Sequence, residues 1–134
     1  MEPNYHKTSL SAGETVRALL LTDPDVAALT RQIVPVVIAP ETSLPYVVYR
    51  RAELATVATK HGYVASDAVM IEVLCCSGSY GQSVALAEAV RHALENRRPQ
   101  SEGCVAIRGI SLSASEELYE GDAYIQSLTF KILT

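Results

Sequence analysis

Apolar and polar residues follow two periods along this chain, and the places where one replaces the other divide it into helices and strands. Val16, Leu19 and Leu20 fall on one stripe of a helix that runs to about Leu21. Ser11-Ala12-Gly13-Glu14 opens it as a capping box, in which the Ser11 hydroxyl and the Glu14 carboxylate satisfy each other's free N–H groups. Thr22-Asp23-Pro24 ends this helix and starts a short one: Asp23 or Thr22 caps it, Pro24 suits its first turn, and Val26, Leu29 and Ile33 face inward. Residues 33–40 are apolar but hold Pro35 and Pro40, which predicts a short edge strand or an extended loop.

Period two takes over at Leu44-Pro45-Tyr46-Val47-Val48-Tyr49-Arg50. Pro45 has no N–H to give a ladder, so it suits the first residue of a strand and would break a central one. The pattern predicts a strand over about 45–57, a turn at Lys60-His61-Gly62 and a second strand over about 63–77. In the second, Val69, Ile71, Val73 and Cys75 share one face, with Met70, Glu72 and Leu74 on the other. Two long strands with a short turn make a hairpin whose tip, about residues 56–63, projects beyond the core.

Helical spacing returns after a second capping box, Ser79-Tyr80-Gly81-Gln82. Ser83, Leu86, Ala87, Val90 and Leu94 form its apolar stripe, while Glu88, Arg91 and Glu95 point outward. Arg97 and Arg98 suit the negative end of its dipole, and Pro99 stops it. A polar loop then leads to a third strand over 104–113, an acidic turn over 115–122 and a last strand over 123–133. In that last strand Tyr124, Gln126, Leu128, Phe130 and Ile132 alternate against a more polar face. The order predicts an α+β fold: an antiparallel or mixed β-sheet of two hairpins packed against a long α-helix, with an N-terminal helix.

Composition supports a globular chain and narrows its chemistry. The 134 residues, 49% apolar and 19% charged, suit a single domain spanning 1–134 with a flexible tail at 1–9. Such a chain buries roughly two thirds of its unfolded surface, enough for one core. A net charge of -4 argues against sequence-independent DNA binding, which needs a cationic surplus. No apolar run approaches the roughly 18–20 residues of a membrane span, and residues 1–9 lack a signal-peptide core, so cytoplasmic synthesis is expected.

Candidate chemistry is sparse. Cys75 and Cys76 are strand neighbours that point to opposite faces, and Cys104 lies far off with no CxxC spacing, so structural thiols are expected. His6, His61 and His92 have neither paired spacing nor an acidic partner in sequence, which leaves no metal site. Ser77-Gly78-Ser79-Tyr80-Gly81 precedes a helix but lacks the lysine and the glycine spacing of a phosphate cradle; a capped strand-to-helix turn is the simpler reading. No GxSxG elbow is present, and neither catalytic residue nor cofactor site emerges. Arg50-Arg51 is either a solvated strand face or a charged contact with a partner, because consecutive strand residues point opposite ways.

In the order and spacing of these elements the chain resembles the tail-completion proteins of tailed bacteriophages and prophages, the family of tail terminators and head–tail joining proteins. The resemblance runs through Leu21-Thr22-Asp23-Pro24-Asp25-Val26-Ala27-Ala28-Leu29, then Ile33-Val34-Pro35 and Leu44-Pro45-Tyr46-Val47-Val48-Tyr49. It continues through Val69-Met70-Ile71-Glu72-Val73, the helix from Ala85-Leu86-Ala87-Glu88 to Leu94, and the ending Tyr124-Ile125-Gln126-Ser127-Leu128-Thr129-Phe130. Cys75-Cys76 departs from the aromatic or small polar residue expected there.

The resemblance implies a non-enzymatic structural protein of the virion tail, at its head-proximal end. It would form a ring, commonly a hexamer and in some cases monomeric before assembly, that caps the tail tube and joins it to the head. Its partners would be copies of itself, the tail-tube protein and a head-completion or connector protein. DNA would touch it only in passage, and no membrane is involved. Hairpin length and charge sign suggest two sites: an assembly interface at Arg50, Arg51, Thr59, Lys60, His61 and Gly62, and a lumen-facing acidic turn of Glu116, Glu117, Glu120 and Asp122. A tail-tube or other minor tail subunit, and a small-ligand-binding α+β module, are the alternatives.

Overall fold

Eight regular elements follow a short 3-10 turn at Ser9–Ser11 in the computed structural model, which describes residues 7–58, 64–99 and 105–134. They are α1 (Ala12–Thr22), α2 (Pro24–Leu29), β1 (Ile33–Pro35), β2 (Tyr46–Ala58), β3 (Val64–Ser77), α3 (Tyr80–Leu94), β4 (Gly109–Glu120) and β5 (Ala123–Leu133). The strands form one sheet in the order β1-β2-β3-β5-β4. β1 runs parallel to β2 and every other neighbouring pair is antiparallel, so the expected α+β architecture is realised as a mixed sheet.

The sheet is buried on one face by the period-two alternation. Val47 and Tyr49 on β2, Val69, Ile71, Val73 and Cys75 on β3, and Leu128, Phe130 and Ile132 on β5 all enter the core. Val16 and Leu20 of α1, Val26 of α2, and Leu86, Val90 and Leu94 of α3 meet them there. The intervening residues, among them Met70, Glu72 and Leu74, fall on the other face and are half-buried. α3 lies across β3 and β5, the central strands, and its buried stripe holds Ala89 and Ala93 beside the expected Ser83, Leu86, Val90 and Leu94, while Ala87 is only half-buried.

The first two of the three predicted helix starts differ. Asp23 accepts from the Val26 N–H at 3.0 Å with Pro24 in the first turn, as expected. Ser11 makes no side-chain cap; the preceding 3-10 turn is capped by Thr8 instead, and Glu14 pairs with Lys7 at 3.1 Å. Residues 1–6 of the expected tail lie outside the described residues. Ser9, by contrast, is buried, and its hydroxyl bonds to Asp67 and to Thr134 Oγ1, tying Ser9 and Thr134 to β3.

The largest departures lie around β4. The strand expected over 104–113 occupies Gly109–Glu120, and the acidic segment expected to turn the chain supplies the second half of that strand. Val105 and Ile107 alternate and are buried in the core, but on a segment outside the ladder. Residues 113–120 are all exposed, so no burial pattern marks them; pairing with β5 makes them a strand. The turn itself is only Gly121-Asp122, both at positive φ (59° and 61°), the geometry of a type I′ hairpin whose twist matches its strands.

β3 meets β5 from Ser77 to Ala68, and the β2–β3 ladder continues past that limit through Thr56↔Asp67, Val57↔Ser66 and Ala58↔Val64. The hairpin therefore overhangs the sheet, and residues 59–63 of its expected tip lie outside the described residues. Phe130 is fully buried at the sheet centre. Phe130→Ala should destabilise the protein by about 3–5 kcal/mol in urea unfolding, whereas Leu10→Ala, at a side chain 64% exposed, should stay within about 0.5 kcal/mol.

Candidate assembly surfaces

Arg50 and Arg51 point to opposite faces, as strand geometry requires. Arg50 stands opposite Glu72 on the helix-free face, with its guanidinium 3.5 Å from that carboxylate. Both side chains reach solvent, so this pair adds little to stability. Arg51 turns to the helical side and donates to the Leu10 carbonyl at 3.1 Å. A bulge at Ala52 follows, where the β2–β3 register shifts.

Beside these arginines an open groove of about 400 Å³ is lined by Leu10, Gly13, Glu14, Pro35, Val36 and Tyr49. Its outer lip is apolar. Val36 and Val37 are 64% and 74% exposed, and both follow directly on β1. The Val37 N–H donates to the Pro35 carbonyl at 2.6 Å around Val36, whose φ is 60°. That is a γ-turn with a β-branched residue at positive φ, a strained conformation. It carries the chain away from β2 immediately after the Val36 N–H has bonded the Tyr49 carbonyl at 2.8 Å.

The acidic residues do not share one turn. Strand alternation puts Glu116 and Glu120 on the helix-free side of β4, with Asp122 in the two-residue turn and Glu117 on the helical side. There Glu117 accepts from the Tyr80 hydroxyl at 2.6 Å and from Gln126 Nε2 at 2.9 Å. The Tyr80 hydrogen bond, then that of Gln126, holds the Glu117 carboxyl below the usual carboxylate range. The same bond raises the Tyr80 phenol.

Sequence reasoning missed the tyrosine cluster at this end of the sheet. Tyr119 and Tyr124 are direct partners across the β4–β5 hairpin, their rings 4.9 Å apart, and Tyr80 meets Tyr124 edge-on at 6.1 Å. The available signal was their equal spacing from Gly121-Asp122, legible only once the turn was known to be two residues long.

The glycine-rich segment before α3 is a capped turn. Ser79 accepts from the Gln82 N–H at 3.2 Å. The return arm of the box is relayed: the buried Ser77 hydroxyl donates to Gln82 Oε1 and lies 3.4 Å from the Ser79 N–H. α3 stops at Leu94, and Asn96 adopts the left-handed conformation just beyond, earlier than Pro99 requires.

Cys75 and Cys76 are free and buried on opposite faces. Burial pushes both thiols up, Cys76 to about 11. His92, expected to lack an acidic partner, has one in Glu88, 4.0 Å away and one turn earlier on α3, while His6, His61 and Cys104 lie outside the described residues. Among the described residues no cluster of three His, Cys, Asp or Glu side chains could hold a metal, and no helix is long and apolar enough to cross a membrane.

These features define a small α+β structural module, helix-covered on one face, with exposed sheet edges and an overhanging hairpin. The model of the tail completion protein gp17 family matches residues 14–134, and the chain belongs to that family, a structural and non-enzymatic one, as its element order had suggested. Among solved structures it is similar to a chain from the virion of the native gene transfer agent (GTA) particle. The two share 22% identity and a TM-score of 0.71, over 94% of this chain and 98% of that one, which shows a common fold. No curated protein matches.

Removing the Tyr80 hydroxyl should release Glu117. In Tyr80→Phe the Glu117 carboxyl titrates nearer its ordinary value by NMR. Because the folded value is depressed, its contribution to stability is complete above the unfolded value and disappears as pH falls through the folded one. The variant's stability should therefore fall less steeply over that acidic window. In native protein at neutral pH, peptide mapping should find Cys75 and Cys76 unmodified by iodoacetamide and fully modified in denaturant, since the thiolate is the nucleophile.

Proposed function

We propose that this chain completes a phage-type tail by closing into a ring at the head-proximal end of the tube, ending tube growth and offering the head its docking surface. The observation that carries this reading is the family match along residues 14–134. The GTA chain of the same fold comes from a virion, which agrees with a place in an assembled particle. The whole chain acts as one domain, is made in the host cytoplasm, and ends in the tail of the virion. Its partners are copies of itself, the tube protein and a head-completion protein, with DNA passing through the ring.

The overhanging β2–β3 hairpin supports contact with the tube. Past Ala68 it has left the β5 ladder, and Thr56, opposite Asp67 on this overhang, is exposed. A two-stranded ribbon without a third strand is marginally stable alone, so seating it against another protein would stabilise it.

Electron microscopy of particles from a strain lacking this chain should show overlong tails or tails without heads. Joined heads on tails of normal length would overturn the proposal, and a complete absence of tube would favour a tube subunit instead. Deleting Lys60-His61-Gly62, with the fold verified by circular dichroism, should reproduce the defect of the missing chain; normal virions would remove the hairpin from the tube contact.

A further inference from the structure

We propose that the two borders of the sheet are the two halves of one contact between successive copies, the acidic β4 border of one copy seating against the basic β1–β2 border of the next. This rests on the ring reading above and names the surfaces that close it.

The strand order puts β4 at one border and β1, with the outer edge of β2, at the other. Residues 109–122 carry Glu116, Glu117, Glu120 and Asp122 and neither lysine nor arginine. Glu116, Glu120 and Asp122 are exposed there. At the opposite border Arg50 and Arg51 line the groove beside α1. Glu14, which also lines it, is already paired with Lys7 at 3.1 Å and Arg50 with Glu72 at 3.5 Å, whereas Arg51 donates to a neutral carbonyl, so the groove's unbalanced charge is the positive one of Arg51. Glu53, also on β2, lies past the bulge at Ala52 and outside the groove lining.

Apolar surface accompanies the charge on both sides. Leu118 and Tyr119 stand out from β4 at 42% and 61% exposure, and Leu10, Pro35 and Val36 wall the groove. Both borders also present backbone. Among the described strands β4 pairs only with β5, and beyond Tyr49 β2 pairs only with β3. Unpaired edges attract other edges, and like charge is one way a protein blocks that pairing. Two acidic borders repel each other, whereas an acidic and a basic border attract. The charge thus rejects a two-fold β4–β4 dimer and selects a head-to-tail contact, the kind that closes into rings. The acidic residues thereby gain a role between subunits, in place of the DNA-facing one suggested by their sign alone.

Two doubly reversed chains test this. Glu116→Lys with Glu120→Lys makes both borders basic, and Arg50→Glu with Arg51→Glu makes both acidic. Glu117 is left alone because it is tied to Tyr80 and Gln126. Each reversed chain should self-associate at least about tenfold more weakly than the natural chain in low-salt sedimentation. An equimolar mixture should recover association by alternating in an even-membered ring. In the strain lacking the chain, neither reversed form alone should restore joined tails and the two together should. Circular dichroism verifies folding, and the milder Glu116→Gln with Glu120→Gln should give an intermediate loss. Full association and full complementation by either reversed chain alone overturn the border contact, as does a mixture that recovers nothing. Tail completion itself falls only if particles lacking the chain are normal.

Discussion

The register between β3 and β5 is the constraint on which the rest of the molecule depends. With Ile71 opposite Phe130, Val69 opposite Ile132 and Val73 opposite Leu128, two central strands put six large apolar side chains on the same face. Side chains alternate with period two, so a slip of one residue would turn one strand's whole set toward solvent. α3 has its buried stripe over these strands, and α1 and α2 pack beside it. The same register decides where each hairpin ends. β5 stops at Leu133 opposite Ala68, which leaves the end of β2–β3 overhanging, while Ser77 opposite Tyr124 brings the β4–β5 turn up to the start of α3.

How much of this was legible in sequence depends on whether burial or pairing decided each element. β3, α3 and β5 bury a regular stripe, and their positions and most of their inward residues follow from periodicity; Ala89 and Ala93 of α3 are the exceptions. The start of α2 was legible because Asp23 and Pro24 act within one turn. β4 was not. Its outer two thirds bury nothing, and a string of Ser, Glu and Tyr is a strand here only because β5 supplies a ladder. Val105 and Ile107 misled in the opposite direction, since they are buried in alternation on a segment that joins no ladder. Burial pattern and strand pairing usually coincide; around β4 they separate, and sequence reports only the first.

The candidate surfaces divide along the same line. That Arg50 and Arg51 face apart is a property of any strand and could be read at once. The groove beside them depends on α1, β1 and β2 meeting, which no local pattern encodes. At the other border, a chain of hydrogen bonds joins β4 to α3 through Tyr80, Glu117, Gln126 and Ser83. Ser83 in turn donates to the Tyr80 carbonyl at 2.7 Å. The β4–β5 hairpin is thereby braced against the helix at the end where its exposed tyrosines and carboxylates stand.

That bracing bears on how a chain with two open sheet borders stays soluble yet can assemble. Edges are guarded by charge, by bulges and by short strands. Here all three occur: carboxylates on β4, register shifts at Ala52 and Ser113, and a β1 of three residues. A guard made of bulges alone would reject every partner equally. A guard made of charge rejects only its like, and its cost vanishes against the opposite sign. Bracing the β4–β5 hairpin before any partner arrives lowers the ordering entropy that association must overcome. Under the proposed contact, the features that keep one copy from pairing edge to edge with an identical border are the ones that recognise the opposite border of the next.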